Sequence, residues 1–215
     1  NSDYCDQAGE LKNCYLCFNI GNSEDSAYVT AANFVKNSFD LQECMRNELS
    51  YESLGSDDCY RLFFSTYCDK CNEVWFSRDC TGCSNCFGCV NLRNKQYHIF
   101  NKPYTKEAYF EELKKMNLGS YESLSRIKKE VTMFWNRFPH KFMHGWHNTD
   151  VSGDLISFSK NAKFCYSVDD VEDSKFCQNL SEGAKDCYDY TTWGAKVEKM
   201  YEVVTSGVGC TNLKF

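Results

Sequence analysis

The residues best suited to chemistry are four cysteines in a C-x2-C-x2-C-x2-C run: Cys80, Cys83, Cys86 and Cys89. Four closely spaced thiolates are the ligand set of zinc sites and of iron–sulfur clusters. The run departs from the bacterial iron–sulfur pattern, because its last spacing is two residues rather than three and Val90 follows instead of a proline. Cysteine is also a small apolar group that packs well inside proteins. We favour this structural role and expect no cofactor, with zinc or an iron–sulfur cluster as the alternative.

Cys59, Cys68 and Cys71 continue the same spacing without completing a second set of four. This incomplete set favours an apolar lining over a set of ligands. Disulfides are a third option, since a bridge needs Cα atoms within about 7 Å, and residues six or twelve apart would satisfy this in a narrow coil. The chain has 15 cysteines, and this odd number argues against a complete set of intrachain disulfides.

A weaker metal candidate is the group His140, His144 and His147, because spacings of four and three place imidazoles on one face of a helix. Pro139 and Gly145 interrupt the segment and favour a loop instead. An ordinary polar loop is therefore the preferred interpretation of these histidines.

Other classes of function find little support. The chain has 24 basic and 30 acidic residues, a net charge of −6, which disfavours unspecific binding to nucleic acid. No run of eighteen apolar residues predicts a membrane span. The sequence contains no Ser-His-Asp order, phosphate-binding loop or nucleotide fingerprint. We therefore expect no catalytic residues.

The cysteines belong to a repeat. Twelve residues separate Cys59 from Cys71 and Cys71 from Cys83, and a step of three runs inside each twelve. In its clearest stretch the step comprises Cys59, Leu62, Ser65, Cys68, Cys71, Val74, Ser77, Cys80, Cys83, Cys86, Cys89 and Leu92. A helix repeats every 3.6 residues and a strand every two, so a step of three fits neither. It predicts a mainly β fold: a narrow parallel β-solenoid of about 12-residue coils, with a Cys, Ser, Ala and Val interior.

A column of aromatic residues follows the same twelve-residue period. Its members are Tyr15, Ala27, Phe39, Tyr51, Phe63, Trp75 and Phe87, with alanine as the one exception. We expect an interaction face at Phe39, Tyr51, Phe63, Trp75 and Phe87, and the expected partner is another protein or a second copy of the chain. No partner that is nucleic acid or membrane is expected.

The step of three stops near Lys95, where a helical insert is predicted. Thr105 caps one expected helix and Ser120 a second, whose apolar stripe ends before Pro139. The step resumes at Ile156, slips by one residue before Cys187 and continues to Leu213. The predicted domains are a solenoid segment at 1–94, the insert at 95–152 and a second solenoid segment at 153–215. We expect the stripe to pack on the aromatic column, with a partner protein as the alternative.

Two resemblances add context. The segments 83–97, 99–107, 139–145 and 151–154 resemble an uncharacterised cysteine-rich family of ultrasmall candidate-phyla bacteria, often described as zinc-ribbon proteins. The zinc ribbon of that family lies upstream of the position of Asn1, so the resemblance implies no metal ligands here. The coil geometry also resembles that of beetle antifreeze solenoids, but the Thr-x-Thr ice-binding face is replaced by the aromatic column.

These observations predict a non-catalytic structural or protein-interaction scaffold that presents a stacked aromatic face. The alternative is a metal-binding protein that uses the four-cysteine coil. Asn1 in place of a methionine, and a repeat that runs up to Phe215, indicate a piece of a longer protein.

Overall fold

The chain divides into two units, Asn1–Pro139 and His140–Phe215, and the described strands of each unit form one mainly parallel β-sheet. The computed structural model describes residues 2–6, 9–18, 20–30, 35–42, 47–177 and 181–184, together with residues 209, 211 and 214. The predicted fold class, a narrow parallel β-solenoid with a helical insert, is confirmed. Cys44, Cys187 and Cys210, like most of the predicted repeat after Ala184, lie outside the described residues.

The strands of the first unit form one sheet in chain order. They are β1 (Ala27–Thr30), β2 (Phe39–Gln42), β3 (Tyr51–Leu54), β4 (Tyr60–Phe63), β5 (Asn72–Trp75), β6 (Ser84–Phe87), β7 (Gln96–Ile99) and β8 (Lys102–Pro103). Each pair from β1 to β7 is parallel and offset by twelve residues, as in the pairing of Tyr60 with Asn72. Only the pair of β7 and β8 is antiparallel. One coil therefore takes twelve residues.

The backbone explains why one residue in three turns inward. The residue before each interior position has a left-handed φ, for example 48° at Asp58, 56° at Arg61 and 53° at Tyr67. Such a φ costs a non-glycine residue about 1–2 kcal/mol, so the coils depend on interior packing and on backbone pairing between coils to hold it. The three-residue unit of the repeat thus contains one left-handed residue directly before each interior residue.

The interior side chains are buried, and their thiols and hydroxyls hydrogen bond to the wall, with Oγ of Ser50 as an exception among the described residues. Cys59, Cys71 and Cys83 are each no more than 2% exposed and occupy successive coils. The backbone N–H of Cys71 donates to Sγ of Cys59 at 3.4 Å, and the N–H of Ser77 donates to Oγ of Ser65 at 3.0 Å. Cysteine and serine therefore fill equivalent interior positions.

A helical pair follows the last strands of the first unit. Helix α1 (Lys106–Lys115) begins after Thr105, whose hydroxyl accepts a hydrogen bond from the N–H of Ala108 at 3.3 Å. Helix α2 (Tyr121–Trp135) begins after Ser120. Both residues predicted as N-caps thus directly precede helices, but the Ser120 side chain makes no capping hydrogen bond, and α2 ends before Pro139. Within the described residues, no helix has the length and apolarity needed to cross a membrane.

The second unit repeats the architecture with a less regular register. Its strands are β9 (Gly145–Trp146), β10 (Gly153–Ser157), β11 (Cys165–Val171) and β12 (Ser181–Ala184), all paired in parallel. The offset is eleven residues between Gly145 and Ile156, twelve between Ile156 and Val168, and thirteen between Val171 and Ala184. The change in offset from twelve to thirteen falls between Ser181 and Ala184, in the segment where the sequence predicts a one-residue slip.

Candidate functional site

The predicted aromatic column is a column in space. Parallel pairing aligns Ala27, Phe39, Tyr51, Phe63, Trp75, Phe87 and Ile99 in successive coils. An isolated bridge adds Tyr15 before Ala27. The period read from the sequence is therefore confirmed, and the helical insert determines which members are accessible.

The later coils of the column carry the covered face, which consists of Phe64, Trp75, Phe76, Phe87, Ile99 and Phe100. This face packs against Tyr109 of α1 and against Ile127 and Val131 of α2 in one apolar cluster. Burial raises the pKa of the Tyr109 hydroxyl, because the charged form would lose its hydration. The expected packing of the helical stripe on the column is confirmed.

The packing of the covered face is close. The rings of Phe64 and Phe76 stack with centroids 4.6 Å apart, and Phe134 of α2 meets Phe100 edge-on at 5.1 Å. Gly88 stands beside Phe100 with a φ of 65°, and a Cβ at Gly88 would lie 2.8 Å from the Phe100 ring. A side chain at Gly88 would thus displace that ring.

Burial divides the predicted interaction face. Phe87 is 1% exposed and belongs to the core between solenoid and helices, so it is not accessible to a partner in this structure. Phe63 and Trp75 are half-buried. Phe39 and Tyr51 remain 45% and 37% exposed. The accessible part of the column therefore lies in the earlier coils.

We call this accessible part the open face, and it consists of Tyr15, Tyr28, Phe39 and Tyr51. Tyr15 and Tyr28 are 42% and 52% exposed, and their rings meet edge-on at 5.9 Å. At the other end, Tyr51 meets Phe64 of the covered face at 5.3 Å. The aromatic surface thus continues from the open face into the covered face.

Carboxylates accompany the open face. Asp40 and Glu52 directly follow Phe39 and Tyr51 in the chain. The pKa of the Tyr51 hydroxyl is raised by burial and by these two carboxylates, while the ammonium group of Lys128 acts in the opposite direction. Neither acid was predicted from the sequence, although both occupy the position directly after a member of the column.

One contact from α2 marks the boundary between the two faces. Nζ of Lys128 donates to Oε2 of Glu52 at 2.6 Å and lies 4.4 Å from the ring centroid of Phe64. The lysine thus makes an ion pair and a cation–π contact at the same edge. The arrangement shows how a helix can bind an aromatic surface bordered by acids.

The four-cysteine coil lies inside the solenoid. Cys80, Cys83, Cys86 and Cys89 are at most 1% exposed and carry free thiols. Their Sγ atoms donate to wall carbonyls, as Cys89 does to the carbonyls of Phe87 and His98, both at 3.4 Å. In the described part of the chain, no three His, Cys, Asp or Glu side chains converge in a metal-binding arrangement.

Thiol–thiol contacts connect neighbouring coils. The pKa of the Cys68 thiol is raised because hydrogen bonds with the thiols of Cys71 and Cys80, together with burial, favour its protonated form. Burial likewise raises the pKa of Cys17 to about 11. Cys17 and Cys68 are therefore protonated at neutral pH, whereas hydrogen bonds from neighbouring thiols lower the pKa of Cys83 and Cys89.

The three histidines of the weaker metal candidate have different environments. Nδ1 of His144 lies 3.1 Å from Oδ1 of Asp154. His147 stacks on Phe158 with centroids 5.4 Å apart. His140 is exposed, and the segment between Pro139 and Gly145 contains no helix. The predicted polar loop is therefore the observed conformation.

The fold and the column define the chain as a cysteine-lined β-solenoid with helices packed over part of one face. No protein-family model matches the sequence, and no curated protein is significantly similar to it. The resemblance to the candidate-phyla family stays a prediction. The function is therefore inferred from the residues of the chain itself.

Proposed function

We propose that this chain is a non-catalytic protein-interaction scaffold and that the open face is its binding surface. The observation that carries the proposal is the exposure of four large aromatic side chains, Tyr15, Tyr28, Phe39 and Tyr51, on one side of neighbouring coils. Contiguous exposed apolar surface is uncommon on soluble monomers and is typical of interaction sites. Aromatic residues are also enriched among those that contribute most to protein–protein binding.

The scaffold role is supported by the rigidity that the coil provides. Each coil is fixed to the next by regular backbone hydrogen bonds, such as N–H of Phe39 to the carbonyl of Ser50 at 3.2 Å and N–H of Phe64 to that of Tyr51 at 2.9 Å. A surface held in this way loses little conformational entropy when a partner binds. The open face is thus pre-organised for recognition.

Site-specific photo-crosslinking in cells that produce the chain tests the proposal. A photoreactive phenylalanine analogue replaces Phe39 in one version and the exposed Asn72, which lies outside the open face, in a control version. We expect a discrete protein adduct from position 39 that is absent at position 72 and is lost when Tyr51→Lys is added. Equal adducts at both positions, or no adduct at position 39, would contradict the proposal.

The metal-binding alternative rests on the spacing of Cys80, Cys83, Cys86 and Cys89 alone. These thiols hydrogen bond to wall carbonyls and to one another, and among the described residues no three side chains are arranged as metal ligands. Elemental analysis of protein purified without oxygen decides between the two functions. About one zinc per four-cysteine site, or iron with visible absorbance, would replace the scaffold proposal with the metal-binding one.

A further inference from the structure

The open and covered faces differ in charge as well as in exposure. In the five coils from Asp3 to Glu52, the positions of the column and the positions directly after them comprise ten residues. Three of these ten residues are acidic, and none is basic. The acids are Asp3, Asp40 and Glu52. The same two registers from Phe63 to Phe100 contain no charged residue. The open face thus combines aromatic rings with negative charge.

The chain already shows how such a surface is bound. At the edge of the covered face, α2 places Ile127 and Val131 in the apolar cluster and directs Lys128 onto Glu52 and Phe64. An apolar stripe with a neighbouring lysine is therefore the chemistry that fits this surface. Phe39 and Asp40, one coil before Tyr51 and Glu52, repeat the aromatic–acid pair, and both side chains are exposed.

The dimensions of the open face, taken together with Asp3 in the coil before Tyr15, also suit a helix. The five coils from Asp3 to Tyr51 extend over about 19 Å, at about 4.8 Å per coil. A helix of about 13 residues has that length. Asp3 and Asp40 are three coils, or about 14 Å, apart, which corresponds to about ten residues along a helix that lies on the column.

We infer that the open face binds an amphipathic helix of a partner protein, which presents an apolar stripe to the aromatic rings and a lysine or arginine to Asp40. The inference rests on the proposed function and adds the chemistry of the partner. A second basic side chain about ten residues away would face Asp3. Continuity with the α2 interface and charge complementarity both support this occupant over an acidic or purely apolar one.

Binding of synthetic peptides to the whole chain tests the inference. The probe is an amphipathic peptide of about 14 residues with a leucine stripe and two lysines ten positions apart, and its control has glutamates at those positions. We expect the basic peptide to bind at least about ten-fold more tightly than the acidic one at low salt, and this preference to shrink as salt screens the charges. Fluorescence anisotropy measures both affinities.

Matched variants locate the binding site. Asp40→Asn should weaken the binding of the basic peptide by about three-fold, as expected for the loss of one exposed charge pair. Asp58 is an exposed acid that lies neither in the column nor directly after one of its members. Asp58→Asn should therefore leave the affinity of both peptides unchanged. Phe39→Ser should reduce the binding of either peptide by more than ten-fold, as for a central aromatic contact (about 1.4 kcal/mol or more).

The outcomes separate this inference from the proposed function. If both peptides bind equally and Phe39→Ser weakens both, the aromatic face binds helices but the basic partner is wrong. If the acidic peptide binds better, or neither peptide binds, the inference is also wrong. The proposed function is tested separately by the crosslinking at position 39. If sedimentation shows a dimer that Phe39→Ser dissociates, the occupant is a second copy of the chain.

Discussion

The covered and open faces share one register, one backbone geometry and one kind of interior, yet they differ in what lies outside the wall. Phe87 is 1% exposed beneath α1 and α2, whereas Phe39, four coils earlier, is 45% exposed. The covered face has only apolar residues at the two registers, and the open face adds tyrosine hydroxyls and carboxylates. Period therefore sets the position of a residue in the column, while the packing of the helices that follow Ile99 determines whether that position is covered.

The largest expected effect comes from truncating one ring in each face. Phe87→Ala should lower the free energy of unfolding by about 3–5 kcal/mol, because it opens a cavity in a packed cluster. Phe39→Ala should lower it by less than about 1 kcal/mol, since its ring is largely exposed. Urea unfolding of both variants measures the difference. Similar losses at the two positions would show that the helices do not distinguish the faces.

The interior beneath the open face should be as dry as the interior beneath the covered face, and alkaline pH tests this at Cys17. Its folded pKa of about 11 lies above the ordinary value of 9.0. The unfolded thiol therefore ionises first, and the contribution of the folded thiol is full below pH 9 and is lost as the pH rises to about 11.

Wild-type protein should accordingly lose about 2 kcal/mol more than Cys17→Val between pH 9 and pH 11. Valine is the matched replacement because Val29 occupies the same interior column one coil later, fully buried. Denaturant titrations at several pH values provide the measurement. Parallel pH profiles for the two proteins would indicate a hydrated interior under the open face.

Exchange of sulfur for oxygen should have a smaller effect beneath the covered face. Cys89→Ser should change the free energy of unfolding by about 1 kcal/mol or less, because Ser77 in the preceding coil donates to a wall carbonyl just as Cys89 does. A thiol count in denaturant should fall by one, with metal content unchanged. A larger loss accompanied by loss of bound metal would favour the metal-binding alternative.

The smallest effect is expected at the boundary of the two faces. Lys128→Ala removes an ion pair with Glu52 and a cation–π contact with Phe64, both partly exposed, and should cost about 0.2–1 kcal/mol. Lys129→Ala, at the exposed neighbouring position, is the control and should be close to neutral. Thermal unfolding at low and high salt compares them, and equal stabilities would remove Lys128 as a boundary contact.

The interior was readable from the sequence because the step of three records burial directly. Every described interior position from Cys59 to Cys89 is at most 2% exposed, and the file of Cys59, Cys71 and Cys83 follows from its spacing. The starts of both helices were equally readable, since Thr105 and Ser120 directly precede them, although only the Thr105 hydroxyl accepts a capping hydrogen bond. Features that depend on local side chains or on the repeat could thus be predicted from the sequence.

The division of the aromatic column was less predictable. The sequence indicates that α2 has an apolar stripe, but it does not indicate which coils the stripe covers, because that depends on the path of the chain after Ile99. The buried position of Phe87 and the contact of Lys128 with Glu52 follow from this path. Some of the left-handed positions could be predicted, because asparagine and aspartate adopt a positive φ more readily than most residues. Asp58 and Asn85, each directly before an interior position, are examples.

Because backbone pairing joins each described coil to the coil before and the coil after it, a rung of twelve residues can be inserted outside the covered face while the pairing of the other coils is kept. Duplication of a rung such as Phe39–Ser50 would lengthen the exposed ladder by one aromatic–acid step and leave the helical cap in place. The reach of this surface can thereby evolve in increments of one rung, each about 4.8 Å tall.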